Sequence, residues 1–255
     1  MNTVHSRRAL RARGPLDSSG LRKLGSFQTA LVFLVTIGVL TLPTRLQATD
    51  NAAGWIQSIH DANIDSIVFL TSIGKVKNGV SETLNGTGFI VHQSGYVLTC
   101  NHVFPDKPDY VSVERTAVIG GRYGTVLPVK IIRRDEQADL MLLKLPQGKP
   151  WRSVKSAVEA RVGSDVVAVG FPTDMEMVDT PGSITGVDSD GRWLTSAGLN
   201  HGMSGGPAFD RSGAIIGIVE GGHEELKALD LLTPISFATS LLQSQLDARD
   251  LQFRS

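Results

Sequence analysis

The chain has one cysteine, Cys100, so no disulfide can form within it and its fold must rest on packing alone. Aromatic residues make up only 6% of the sequence, and the six histidines include no His-x-x-x-His pair. With paired Cys spacing also missing, the usual zinc frameworks are excluded and no metal or other cofactor is expected. A net charge is lacking too, with 25 basic against 25 acidic residues, but that balance conceals a division. Residues 1–45 hold seven Lys and Arg against one acid, which leaves a net of −6 from residue 46 onward. That part carries no electrostatic footprint for nucleic acid. No internal repeat, low-complexity tract or heptad run occurs.

Charge is also missing from Leu24 to Thr44, where Ala30-Leu31-Val32-Phe33-Leu34-Val35 and Ile37-Gly38-Val39-Leu40 form a strongly apolar interior. Arg7, Arg8, Arg11, Arg13, Arg22 and Lys23 precede it, an asymmetry that keeps the N-terminus in the cytoplasm and sends the remainder across a membrane. Two readings stay open: a cleaved secretory signal with Ala48 as its last residue, or an uncleaved anchor of about 20 residues. The rest of the chain is expected outside the cytoplasm, periplasmic or held at the inner membrane through this segment. An oligomer is compatible with the sequence.

The organisation expected is a basic segment over 1–25, the apolar helix over 26–44, a polar connector over 45–62 and a folded domain over 63–250. The connector carries a short helical or irregular piece around Trp55 and Ile59. With 41% hydrophobic residues and 27 glycines, the domain reads as all-β. Apolar runs at 67–70, 87–91, 96–99, 126–132 and 140–145 are separated by Asn85-Gly86, Ser94-Gly95, Gly120-Gly121 and Gln147-Gly148. A second set follows at 166–171, 182–187, 193–195, 207–209 and 214–219. Two groups of about six strands imply two six-stranded barrels, over about 63–148 and 155–235. Ala238, Leu241, Leu242 and Leu246 then mark a closing helix over 235–248, expected to pack on the second barrel.

Three blocks carry chemistry. Gly202-Met203-Ser204-Gly205-Gly206-Pro207 exposes a serine among glycines, Thr99-Cys100-Asn101-His102-Val103 puts a histidine just after a strand, and Ala138-Asp139-Leu140-Met141-Leu142-Leu143 puts an acid just before one. Peptide hydrolysis needs a nucleophile, a base, a group that orients the base, and donors for the oxyanion. Ser204, His102 and Asp139 suit the first three roles, and the amides of Gly202 and Ser204 suit the last. Asp135 is the nearby alternative to Asp139. Cys100 reads as a buried structural thiol, because residues two apart on an extended segment do not pair across a cleft. His223 with Glu224 and Glu225 resembles a metal cluster only superficially.

The order His102, Asp139, Ser204, together with Gly86-Thr87-Gly88-Phe89-Ile90-Val91, resembles trypsin-like serine peptidases of the HtrA (Deg) type over residues 64–246. The resemblance implies a chymotrypsin-like double barrel with its active site between the halves, an acyl-enzyme route, polypeptide substrates and a role in envelope protein quality control. Two departures matter. The chain is too short to add a PDZ domain after the protease, and Met203 stands where relatives usually have Asn or Asp, so activation through a newly cut N-terminus is not expected. Relatives that cut after basic residues carry Asp six positions before the serine. Here that position is Gly198, and with Gly221 and Gly222 it should form an uncharged pocket for small or medium apolar side chains. A catalytically silent barrel acting as a binding module is the alternative, and an esterase on the same triad differs only in substrate.

Overall fold

Short β-branched runs broken by glycine and aspartate turns give strands rather than helices. The computed structural model describes residues 46–148, 150–222, 229–243, 245–246 and 253–254. The expected apolar helix over 26–44 and the run from His223 to Glu225 lie outside the described residues. Among the described residues no helix is long and apolar enough to cross a membrane.

The first sheet holds β1 (Ile67–Val76), β2 (Ser81–His92), β3 (Tyr96–Cys100), β4 (Tyr110–Ile119), β5 (Leu127–Pro128), β6 (Lys130–Asp135) and β7 (Leu140–Lys144). Its order is β5-β4-β1-β2-β3-β7-β6, antiparallel throughout. β1 and β2 form a long hairpin, in register from Ile67 opposite Phe89 to Lys75 opposite Ser81. The second sheet holds β8 (Ala157–Val158), β9 (Asp165–Gly170), β10 (Val178–Val187), β11 (Trp193–Thr195), β12 (Pro207–Phe209), β13 (Ile215–Gly222), β14 (Asp230–Pro234) and β15 (Phe253–Arg254). Six of these close on themselves as β12-β9-β10-β11-β14-β13, because β12 also pairs with β13.

The architecture is therefore all-β and chymotrypsin-like, but the two sheets are not equal. The second is a closed six-stranded barrel; the first is a half-barrel whose edge strands β5 and β6 are joined only by the chain at Val129. Pro128 has no N–H with which to extend a ladder. Beyond it the contact back to β4 is a single bond, from Val129 N–H to the carbonyl of Arg115 at 3.1 Å.

β9 explains how the halves adhere. All residues from Val166 to Gly170 are buried: Val166 and Ala168 point into the closed barrel, while Val167 and Val169 join a core shared with the first sheet. A strand buried on both faces reads as a continuous apolar run instead of an alternating one. Phe69 of β1 meets Phe171 just beyond β9 edge to face, with ring centroids 5.4 Å apart. Such a pair contributes about 0.5–1.5 kcal/mol beyond simple burial.

The helices depart from the sequence reading. Residues expected as a polar connector form α1 (Leu46–Asn63), an 18-residue helix. Ile59 is buried, Trp55 and Ile56 pack beside it, and His60 Nδ1 meets Asp179 Oδ2 on β10 at 2.7 Å. At the other end a 3-10 turn, Ile235–Ala238, leads into α2 (Thr239–Gln243). The expectation that this closing helix packs on the second barrel is met only by its first turn: Ile235–Ala238 lies against β13 and β14, whereas α2 lies against β6 and β7 of the first sheet. Leu241, Leu242 and Leu246 are buried there, so the apolar stripe reaches back to the half that needs cover.

Candidate active site

β3 ends at Cys100, and the chain turns at once into a single 3-10 turn, Asn101–Val103, which lifts His102 off the sheet and leaves its side chain about half exposed. Asp139 sits opposite, immediately before β7, with its backbone at φ 52°, a left-handed conformation that Asp tolerates better than most residues. Its carboxylate grips the histidine twice: Oδ1 accepts the His102 backbone N–H at 3.0 Å, and Oδ2 lies 2.6 Å from Nδ1. Asp139 also accepts the Asn101 N–H on its backbone carbonyl at 2.9 Å. Asp135 is turned elsewhere and accepts the Ala138 N–H at 3.0 Å.

Arg134 braces this loop from below. Its guanidinium, largely buried, donates to Asn101 Oδ1 at 2.7 Å, to the Phe104 carbonyl at 2.9 Å and to Asp106 Oδ2 at 2.8 Å. The proton affinity of His102 is raised, first by its hydrogen bond to Asp139 and further by the charges of Asp139 and Glu220, against the opposing effect of burial.

Ser204 belongs to a loop whose carbonyls from His201 to Ser204 all have partners. The His201 carbonyl accepts from the Thr173 N–H at 2.8 Å and from its hydroxyl at 3.2 Å. The Gly202 carbonyl accepts from the Thr87 hydroxyl at 2.8 Å, that of Met203 from the Gly206 N–H at 2.9 Å, and that of Ser204 from the Thr87 N–H at 2.9 Å. In a trans peptide the N–H points opposite to the C=O. Anchoring the carbonyls of His201 and Met203 therefore fixes the N–H of Gly202 and of Ser204 on the other side. Neither amide has a partner among the described residues. Gly202 stands at φ 94°, and a Cβ there would lie 2.4 Å from the Phe171 carbonyl, so only glycine fits. Met203 is fully buried in the closed barrel and anchors the loop through apolar packing, where an Asp or Asn would act through polar bonds.

The Ser204 hydroxyl donates to the Glu220 carbonyl at 3.1 Å and forms no bond to His102. Nε2 of His102 has no partner among the described residues. Glu220 itself was not legible as a site residue. Its carboxylate is mostly buried, forms an ion pair with Arg192 whose Nε lies 2.7 Å away, accepts the Thr233 hydroxyl at 2.9 Å, and is pushed up in proton affinity by burial. The signal available in sequence was only an acid at the end of an apolar strand.

Cys100 Sγ, a His102 nitrogen and an Asp139 oxygen lie within 4.8 Å of one another. These residues do not make an open metal centre: the thiol is fully buried, donates to the Val219 carbonyl at 3.2 Å, and burial opposes the thiolate that a metal needs. Nδ1 is meanwhile occupied by Asp139.

The three expected pocket glycines come together around Asp230. Its Oδ2 accepts the Leu199 N–H next to Gly198 at 2.6 Å, and its Oδ1 would lie 3.6 Å from a Cβ placed on Gly222. Gly198 and Gly221 both take positive φ, and a Cβ on either would meet open space.

Residues 86–218, just over half of the chain, match the trypsin-like peptidase domain family. A protein of Brucella suis named "Probable periplasmic serine endoprotease DegP-like" is 37% identical over 143 residues. The match takes in 52% of this chain but only 26% of that protein, so the chain spans about a quarter of the length of its relative. The serine endoprotease of Yersinia pestis shares the fold with a TM-score of 0.60 at 21% identity, over 74% of this chain and 65% of that one. A protease from M. tuberculosis in its active form gives the same TM-score at 23% identity, over 72% and 82% of the two chains. Fold, chain order of the motifs and the match from Gly86 to Ile218 agree, and the chain belongs to the trypsin-like peptidase domain family, with DegP and HtrA proteases among its relatives.

Proposed function

We propose that this protein is an exported serine endopeptidase that cuts unfolded or damaged polypeptides through Ser204, His102 and Asp139. The observation that carries the reading is the Ser204 loop, whose two unpartnered amides point opposite to the anchored carbonyls of His201 and Met203. A peptide carbonyl whose oxygen is set against the N–H groups of Gly202 and Ser204 becomes more electrophilic at its carbon. The Ser204 hydroxyl rotates from the Glu220 carbonyl towards His102, gives its proton to Nε2 and attacks. Asp139 holds the Nδ1–H and stabilises the imidazolium, and the oxyanion rests on the two amides. His102 then returns the proton to the leaving amine; water, deprotonated by His102, attacks the acyl carbon, and as the bond to Ser204 Oγ breaks His102 gives that proton back to the serine.

Export is supported by the basic-then-apolar N-terminus and by relatives named as periplasmic. Gly198, Gly221 and Gly222 form the pocket for the residue before the cut. Because Asp230 is already engaged by the Leu199 N–H, it braces the pocket wall, and the preference is for small or medium apolar side chains.

One observation favours a second reading, a catalytically silent barrel: the Ser204 hydroxyl rests on Glu220 instead of His102. A fluorophosphonate probe separates the two. The wild type should label and hydrolyse casein, and Ser204→Ala should do neither. Labelling that survives in Ser204→Ala refutes the assigned nucleophile, while an unlabelled, well-folded wild type establishes the silent reading.

A further inference from the structure

Thr87 lies in the motif Gly86-Thr87-Gly88 on β2, in the opposite half of the molecule from Ser204, and is fully buried. It nevertheless holds the Ser204 loop at two points. Its hydroxyl donates to the Gly202 carbonyl at 2.8 Å, and its backbone N–H donates to the Ser204 carbonyl at 2.9 Å. The same hydroxyl accepts the Phe171 N–H at 3.0 Å, so both its donor and acceptor capacities are used. Its own carbonyl is fixed by the Thr99 hydroxyl at 2.7 Å, which ties it to the strand that ends just before His102. No other side chain bonds to the loop carbonyls of Gly202, Met203 or Ser204 among the described residues. There is no slack around this contact: a Cβ on Gly205 would stand 2.2 Å from the Thr87 carbonyl, and one on Gly170 3.0 Å from its hydroxyl.

We propose that the Thr87 hydroxyl is a positioning group for the oxyanion-binding amides, setting them from the first half-barrel so that the two halves register the site between them. The inference rests on the reading of Ser204 as the nucleophile. An amide displaced by a fraction of an ångström still meets the ground-state carbonyl but loses its aim at a developing oxyanion. Removing the hydroxyl should therefore lower kcat and leave KM nearly alone.

The test compares Thr87→Val, which keeps the shape and drops the hydroxyl, with Thr87→Ser, which keeps the hydroxyl and drops the methyl. On casein, Thr87→Val should lose about 10- to 100-fold in kcat, with KM within about twofold and the maximal fluorophosphonate labelling rate falling in parallel. Thr87→Ser should stay within about threefold of wild type, since the hydroxyl is what the loop needs. A folded Thr87→Val with wild-type kcat overturns the proposal, as does an equal loss in both variants, which would point to the methyl. Should Thr87→Val not fold, a folded Thr87→Ser with a tenfold or greater loss of kcat overturns it alone. If wild type fails to label at Ser204, the nucleophile reading falls and takes this role with it. A labelled wild type beside an unaffected Thr87→Val removes only Thr87.

Discussion

Asp139 serves His102 with both carboxylate oxygens, one on the backbone N–H and one on the ring. This fixes the ring orientation and the tautomer together, and it raises the affinity of the imidazole for a proton. As the proposed base, His102 must be neutral to accept a proton. Activity should fall on the acid side with a midpoint above the ordinary histidine value of about 6.5. The linked stability has the opposite sense: protonated His102 adds stability fully below the unfolded value, and that increment is lost as pH rises through the raised folded value. Asp139→Asn should lower kcat by about 10⁴-fold and shift the acid midpoint downward. A profile of kcat/KM from pH 5 to 9 for both proteins checks this, and an unmoved midpoint would remove Asp139 from the role. His102, Asp139 and Ser204 were legible as candidates because nucleophile chemistry leaves compact motifs in sequence. Glu220, Thr173 and Asp230 were not, because each acts on a backbone group or a neighbour brought close only by the fold, and a lone acid in a strand or a threonine in a turn carries no mark of that.

Among the elements, β9 was easily read because burial on both faces makes its sequence continuously apolar. β4 was hidden for the reverse reason. Glu114, Arg115 and Thr116 interrupt it, and Arg115 sits inside only because Asp106 meets its guanidinium and the Phe104 ring lies 5.9 Å beneath. α1 was underestimated because its helical stripe is thin: Trp55, Ile56 and Ile59 are the apolar contacts that dock it, and the His60 to Asp179 bond joins residues far apart in sequence. Ile59 is nonetheless 96% buried in the main core. Ile59→Ala should destabilise the protein by about 2–4 kcal/mol, read as a lower urea midpoint at constant slope. An unchanged midpoint would mean that α1 merely rests on the surface.

The whole molecule holds together across the junction of its halves. One core cluster runs from Phe69 and Phe89 on the first sheet to Val167, Phe209 and Ile218 on the second, and α2 returns from the end of the second to cover the first. Neither half buries its apolar surface alone, so a single cooperative transition is expected despite the two-sheet architecture. Calorimetry should give equal calorimetric and van't Hoff enthalpies, and two separable transitions would contradict the shared core. The overall fold was readable from strand count and motif order. The inequality of the sheets was not, since it turns on one proline at the end of β5 and one residue between two strands.

The buried position of Cys100 has a practical consequence. Its sulfur lies directly behind the histidine loop, with no surface open to solvent and no second thiol in the chain. A disulfide-exchange dye can reach it only when β3 parts from its neighbours. The colour such a dye develops would therefore time the opening of the first sheet from within, without any engineered label.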